Sequence, residues 1–398
     1  MNNIPWGNNE NLDDNQFYNR SIELTHLKQM LLTTENETPP NILLTGNRGI
    51  GKTVFIKKIQ KELEEYGFLV IYINFSQAEC FRRKNMTIEG LMQFYFKKTL
   101  ISCNNNKLIN IGEKLKKYFK TNNFHFKEFQ EVNGIPIPIF KSEINKEDLM
   151  EYVLTFPEKI YNNHSDQLKG IIILIDEFQL IKELDDYKES FLWNIRSYIQ
   201  NQRNIAYVFT GSMSLNDTLI SEISGHNGVF GGRMISFHLS TFSKTTVKQY
   251  LNEKKPGLKF TDGGFNRFYE NTLGIPAYIN NFAKILPENI EFTSDSITRE
   301  FNESIYQISS NLVNIWYELS YKNKLILISL LNGPARRIDI AKSLNVKSGS
   351  LSPNLRELEN LSLINKTGNK LYSFTEPLLA KWLQSEYTEK GEYPFTSI

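Results

Sequence analysis

Residues 46–53 read Gly46-Asn47-Arg48-Gly49-Ile50-Gly51-Lys52-Thr53 and meet the spacing G-x-x-x-x-G-K-[ST] at every fixed position. The flanks supply the context this loop needs. Upstream, Asn41 to Thr45 is a short apolar run suited to a buried parallel strand. Downstream, Val54, Ile56, Ile59 and Leu63 fall near helical spacing, and the run stops at Gly67. Strand, loop and helix in that order place the chain among α/β folds with a parallel sheet and a phosphate-binding loop. Glycines let backbone N–H groups close around phosphate oxygens, and the helix N-terminus favours an anion. Lys52 is then in reach of the β and γ phosphates, and Thr53 is a candidate Mg²⁺ ligand.

A loop of this kind supports hydrolysis only beside a metal-side carboxylate and a group that orients water. Residues 171–175 are consecutively apolar and are followed by Asp176 and Glu177. The run reads as a strand buried on both faces, so the acidic pair lies at its C-terminal edge, where ligands bind in open α/β sheets. Asp176 is expected to hold Mg²⁺ through water, and Glu177 to polarise the attacking water. The plain alternative is an acidic pair opening the next helix, where carboxylates suit the dipole. A third apolar run, 204–213, ends in Thr210 and Ser212, the candidates for sensing a γ phosphate.

Composition narrows the setting. The 398 residues leave room for roughly two or three domains, and 46 basic against 44 acidic residues give a net charge of +2, so no whole-molecule field favours nucleic acid or an anionic membrane. Any such role is local. Two cysteines, Cys80 and Cys103, make no disulfide framework, and the first residues carry neither a basic nor an apolar leader. The longest apolar stretch falls far short of the roughly 20 residues that span a bilayer. The expectation is a soluble cytoplasmic protein without a membrane partner.

The C-terminal part holds the local charge. Residues 294–319 place Ile297, Phe301, Ile305, Ile308, Leu312, Ile315 and Leu319 at steps of three and four, which predicts one long amphipathic helix. From 321 onward the pattern is helix, helix, turn, helix and hairpin, a winged helix-turn-helix reading. Between 321 and 373, nine Lys or Arg stand against three acids, a local excess of six positive charges. Lys347, Ser350, Asn354 and Arg356 are candidates to face double-stranded DNA, with Lys366 and Lys370 on the wing; Pro353 lies inside the proposed reading helix. The competing expectation is a winged helix that packs on its own chain or on a protein. Residues 81–165 read as a helical insertion, with six lysines between 107 and 127 that suit a solvated helix better than a nucleic-acid surface.

Taken together these residues resemble the archaeal-type P-loop ATPases of the STAND class, relatives of the AAA+ origin-recognition ATPases. The likeness begins at residues 17–31 and runs through the phosphate loop, "LIDEFQLI", "FTGSM", "GVFGGRMISFHLSTFS", "LGIPAYINNFA" and "YSFTEPLLAKWL". Thr241 stands where the family often has Pro, and Glu376 where it has Asp. The resemblance implies an ATPase domain over 17–242, a helical lid with a connecting helix over 243–320 and the winged helix over 321–385. Residues 1–16 are then a flexible N-terminal segment and 386–398 a C-terminal tail. It implies ATP and Mg²⁺ as cofactors, with Tyr18, Arg20 and Pro276 framing adenine. Arg233 would act on a phosphate in cis, or in a neighbouring subunit as an arginine finger. The activity expected from the residues is slow ATP hydrolysis to ADP, coupled through the basic winged helix to DNA binding or to assembly with itself or a protein partner. The rivals are a DNA-binding regulator with a structural nucleotide, a signalling ATPase whose winged helix touches no DNA, and a small-molecule kinase.

Overall fold

The computed structural model describes residues 4–7, 12–83, 86–106, 108, 126–132, 135–140, 145–211, 223, 228–361, 363–366 and 370–395. Strands β1 (Asn41–Thr45), β2 (Leu69–Asn74), β3 (Phe126–Val132), β4 (Ile135–Phe140), β5 (Ile171–Asp176), β6 (Ile205–Thr210) and β7 (Ile235–His238) fall in the first part of the chain. Five of them form one sheet in the order β2-β5-β6-β1-β7, with every neighbouring pair parallel. Both of its faces are buried along the central strands, as the unbroken apolar run of β5 requires, while edge strand β7 is largely exposed. Side chains alternate with the period of two: Leu43, Ile71, Ile73, Ile173 and Phe209 enter one core, and Ile42, Leu44, Val70, Ile172 and Val208 the other. Helices α1 (Ser21–Leu32) and α2 (Lys52–Glu65) cover the second face. The first is covered by α3 (Ile88–Asn105), α4 (Lys146–Asn163) and α5 (Lys188–Asn201).

The insertion is not wholly helical. Between α3 and α4, β3 and β4 form a separate antiparallel pair, and Pro136 and Pro138 are tolerated in β4 because each strand there is an edge. The lysine-rich stretch lies almost entirely outside the described residues.

The second part contains α6 (Lys244–Lys254), α7 (Asp262–Thr272), α8 (Pro276–Ile285), α9 (Ser294–Glu303) and α10 (Ile305–Glu318). The one long helix expected over 294–319 is thus two. The two meet at Ser304, and a kink follows inside α10, where Ser309 has non-helical angles (φ −156°, ψ 71°) and Asn281 Nδ2 donates to the Ile308 carbonyl at 2.9 Å. A side chain inserted into the backbone ladder is an identifiable cause of such a kink. Then follow α11 (Tyr321–Leu330), α12 (Arg337–Ser343), α13 (Ser352–Asn360) and α14 (Pro377–Lys390), with a small antiparallel sheet of 335–336, 371–374 and 364–366. Pro353 stands in the first turn of α13, where proline fits without bending the helix.

Residues 242–383 share a single apolar core that crosses the expected boundary at 320. Trp316 of α10 is fully buried there, edge-on to Trp382 of α14 at 6.5 Å. Two ends expected to be free are docked on this body. Trp316 Nε1 donates to the Pro394 carbonyl at 2.6 Å and Lys324 Nζ to that of Phe395 at 3.2 Å, while Ile4 is buried in the same core. Among the described residues no helix is long and apolar enough to cross a membrane. Trp316→Ala is expected to cost about 3–5 kcal/mol. Because the core is shared, hydrogen exchange should speed up in α8 and α11 together; faster exchange confined to α11 would mean two independent cores.

Candidate nucleotide site

A parallel sheet delivers all its strand C-termini to one edge, and there the predicted residues meet. Across that edge the order is Asn74, Asp176, Thr210, Thr45 and His238, from β2, β5, β6, β1 and β7. The loop leaves β1 at Gly46, and Gly46, Gly49 and Gly51 all have positive φ (149°, 78° and 94°). At Gly46 a side chain would also meet the Leu239 carbonyl at 2.9 Å, so the loop depends on glycine for both angle and space. Ile50 is buried and fastens the loop to the core of α1 and α2, while Arg48 is exposed.

Lys52 opens α2 and is 8% exposed, its ammonium donating to the carbonyls of Gly46 (2.7 Å) and Asn47 (3.0 Å). Burial lowers its pKa to about 8, against the opposing pull of Glu177 and Asp176. Thr53 Oγ1 donates to Asp176 Oδ2 at 2.8 Å, and Tyr72 OH reaches the same oxygen at 3.1 Å. Burial first, and Glu177 second, raise the Asp176 pKa. Glu177 has a left-handed φ of 55°, unusual for a residue with a side chain, and its backbone N–H donates to Asp176 Oδ1 at 2.9 Å. Its carboxylate accepts from Gln179 Nε2, and Gln179 in turn fills the space above Gly211, where an added Cβ would fall 1.9 Å from its Oε1. Thr210 Oγ1 is buried without a hydrogen-bond partner among the described residues. Ser212 lies outside them.

Beside the loop is a cavity lined by Tyr18, Arg20, Phe242, Pro276 and the glycines 49 and 51. Tyr18 packs on Tyr250 with ring centroids 4.9 Å apart. Arg20 is buried over the Phe242 ring at 4.9 Å and donates to Glu23 (2.9 Å) and to the Ser240 carbonyl (2.6 Å), so its guanidinium braces the start of α1. Gly274 has φ 67°, and a Cβ there would lie 2.3 Å from the Phe242 carbonyl, which explains the glycine before Pro276.

Arg233 is elsewhere. Ile235 pairs with Ile42, at the start of β1, so Arg233 sits at the N-terminal edge of the sheet, and the strands alone set roughly 10 Å between the two edges. With its oxygen facing them, the Gln200 amide accepts from both Arg233 and Arg196. The cis contact with a phosphate is therefore corrected: Arg233 does not belong to its own chain's phosphate loop.

Glu376 was not expected here. It precedes α14 in sequence but is buried against α8, accepting from Tyr278 OH at 2.9 Å. Burial raises its pKa, with Tyr278, Arg48 and Lys52 acting against that rise. The Ala277 N–H donates to the Gly49 carbonyl at 3.1 Å. The phosphate loop, α8 and the start of α14 are thus in contact. The one sequence signal was the Glu-Pro pair in the closing stretch; Tyr72 and Tyr278 carried none.

Of the proposed DNA-facing residues, Lys347, Ser350, Arg356 and Lys370 are exposed and Lys366 is half-buried. Asn354 is instead turned inward, its amide donating to Asn323 Oδ1 at 2.8 Å, and Ser350 donates to the Lys347 carbonyl at 2.8 Å. Lys324, counted in the local charge, is buried.

This sheet and loop, with Lys52 and Thr53 facing a carboxylate two strands away, define an ATP-binding domain of the P-loop NTPase type. The chain belongs to the family described as an ATPase domain predominantly from Archaea, whose model matches residues 17–282. An uncharacterized ATP-binding protein of Methanocaldococcus jannaschii is similar at 23% identity over 265 residues, which is 61% of this chain and 65% of that one. In fold the chain resembles a Walker-type ATPase of Pyrococcus abyssi, with TM-score 0.58, 16% identity and coverage of 94% and 99% of the two chains. A looser likeness, TM-score 0.41 at 15% identity, is to the Aeropyrum pernix Orc1 protein in complex with DNA, covering 94% and 93%.

The Lys52 pKa of about 8 has a consequence for binding. Phosphates placed on Lys52 would favour the charged amine, so above this value their binding would take up a proton. ATP affinity measured by titration should be flat with pH below about 8 and fall above it, by up to about tenfold per pH unit.

Proposed function

We propose that this chain is an ATP-hydrolysing switch in which Lys52, Thr53 and Asp176 hold Mg-ATP and Glu177 acts on the attacking water. The observation that carries the reading is the Thr53–Asp176 hydrogen bond at 2.8 Å, which joins the loop and the acidic strand into one oxygen cluster next to Glu177. A hydroxyl and a carboxylate fit Mg²⁺, a hard cation that keeps several waters and is completed by substrate phosphates. When bound, it would neutralise charge on the β and γ oxygens.

The chain's own residues do the rest. Backbone N–H groups of residues 47–52 and the Lys52 ammonium cradle the phosphates, and Thr210 Oγ1 offers a buried hydroxyl on the strand between loop and carboxylate. Glu177 orients water for in-line attack on the γ phosphorus and accepts its proton as the bond to the β-bridging oxygen breaks, releasing ADP and phosphate. Tyr18, Arg20 and Pro276 flank the base. Ser212 keeps a γ-phosphate role as a proposal from sequence alone. Arg233, remote from its own loop, suits a role in the site of a second copy.

The output is assigned to residues 321–385, read as a winged helix, with 243–320 as the lid; together with the phosphate loop this is the organisation of the STAND class. Exposed Lys347, Arg356 and Lys370, with Lys366, support contact with DNA phosphates. The inward Asn354 favours a second reading, in which this surface meets a protein and no base is read. Either output responds to nucleotide only through a difference in affinity between states.

Glu177→Gln should bind Mg-ATP as the wild type does and turn it over about 10²–10⁴-fold more slowly, measured as phosphate release. Wild-type turnover would remove Glu177 from the mechanism. For the output, DNA is titrated with ATP or ADP at several salt concentrations. Replacing Lys347, Arg356, Lys366 and Lys370 by Ala should weaken binding and reduce the salt slope by about 0.9 for each phosphate that is no longer neutralised. Equal binding by both proteins would assign the surface to a protein partner.

A further inference from the structure

Part of the wall of the cavity beside the phosphate loop comes from a segment that no motif marks. Trp6 and Gly7 line it, together with Tyr18, Phe242, Tyr250 and the loop glycines 49 and 51. They lie before residue 17, where the family match begins.

This segment is fastened at several points to one helix, α8. Lys284 Nζ donates to the Ile4 carbonyl at 3.0 Å, and the Gly7 N–H donates to Asn281 Oδ1 at 2.7 Å. The Asn281 amide has one orientation available, because its Nδ2 already donates to the Ile308 carbonyl. Gly7 lies so close to α8 that an added Cβ would come within 2.3 Å of the Ala277 carbonyl. The first turn of α8 also receives the phosphate loop through the Ala277–Gly49 hydrogen bond. Loop, helix and N-terminal segment therefore form one continuous wall.

Trp6 is the exception within this anchored backbone. Its neighbour Ile4 is 4% exposed, yet the indole is 45% exposed. The Lys284 ammonium lies 4.6 Å from its ring centre, which fixes the indole from one side. A large aromatic side chain held with open area at an aromatic-lined cavity, next to a phosphate loop, matches a flat aromatic ligand carrying phosphates.

We infer that residues 4–7 form a strap across the base end of the nucleotide site, with Trp6 stacking on the base and Asn281 and Lys284 as the positioning residues that hold it. This rests on the nucleotide reading above. The phosphate loop grips charge and is indifferent to the base; the strap supplies contact to a π-face, which is worth about tenfold or more in affinity.

The test compares a ligand with a base and one without. The full chain with Mg²⁺ is titrated with ATP and with inorganic tripolyphosphate, as wild type, Trp6→Ala, Trp6→Phe and Asn281→Leu. Trp6→Ala removes a half-exposed side chain and should fold normally, which circular dichroism checks. It should weaken ATP about tenfold and leave tripolyphosphate unchanged, and Trp6→Phe should restore most of the ATP affinity. Asn281→Leu, which frees the strap, should follow Trp6→Ala. ATP should also quench indole emission in the wild type, a signal that Trp6→Phe loses. Unchanged ATP affinity in Trp6→Ala, or an equal loss for both ligands, overturns the strap as a base contact. A wild type that binds neither ligand overturns the nucleotide reading itself.

Discussion

The arrangement depends on strand β6 being wedged between β1 and β5. In a sheet whose strands all run one way, order alone decides which C-termini are neighbours, and here it sets the loop after β1 and the acid after β5 on either side of Thr210. The separation is right for Thr53 to reach Asp176 from the first turn of α2. Remove that order and the same residues remain in the sequence without a common site. The alternating side chains of the strands secure it, since a slip of one residue would move each apolar side chain to the opposite core.

Charge at this edge is balanced with little water to help. Burial lowers the pKa of Lys52 and raises that of Asp176, so it disfavours the charged form of both groups. A phosphate group and a cation arriving together would satisfy both, which is how a buried site favours a charged ligand pair over either charge alone. Glu376, placed just before Pro377 at the start of α14, brings a second buried carboxylate into the field of Arg48 and Lys52. Through Tyr278 and Ala277 the loop is in mechanical contact with the body that carries the C-terminal helices.

That body is one packed unit, although its sequence pattern divides at 320. Helical periodicity reports which face of each helix is apolar, and it cannot report that the faces of α10, α11 and α14 share a core around Trp316. The kink at Ser309 has the same origin. Residues 294–319 keep an unbroken stripe, and the kink lies where Asn281, a side chain on another helix, donates to the backbone. Asn354 and Lys324 look like surface polar residues by type; each is drawn inward by a partner distant in sequence. Arg233 follows two glycines in a segment that resembles a phosphate-contacting one, and the parallel register of β7 puts it at the wrong edge for its own loop.

What the sequence determined by itself is the local chemistry of strand, loop and helix at 41–65 and the acidic end of the strand at 171–176. In these places residue type and spacing act over a few residues, through backbone angles that only glycine tolerates and through burial on both faces of a strand. Tertiary structure alone decided which of the separate pieces share a site. Tyr72 meets Asp176, and Glu376 and residues 4–7 meet α8, because of strand order and helix packing, and those contacts depend on surfaces assembled from residues tens to hundreds of positions apart.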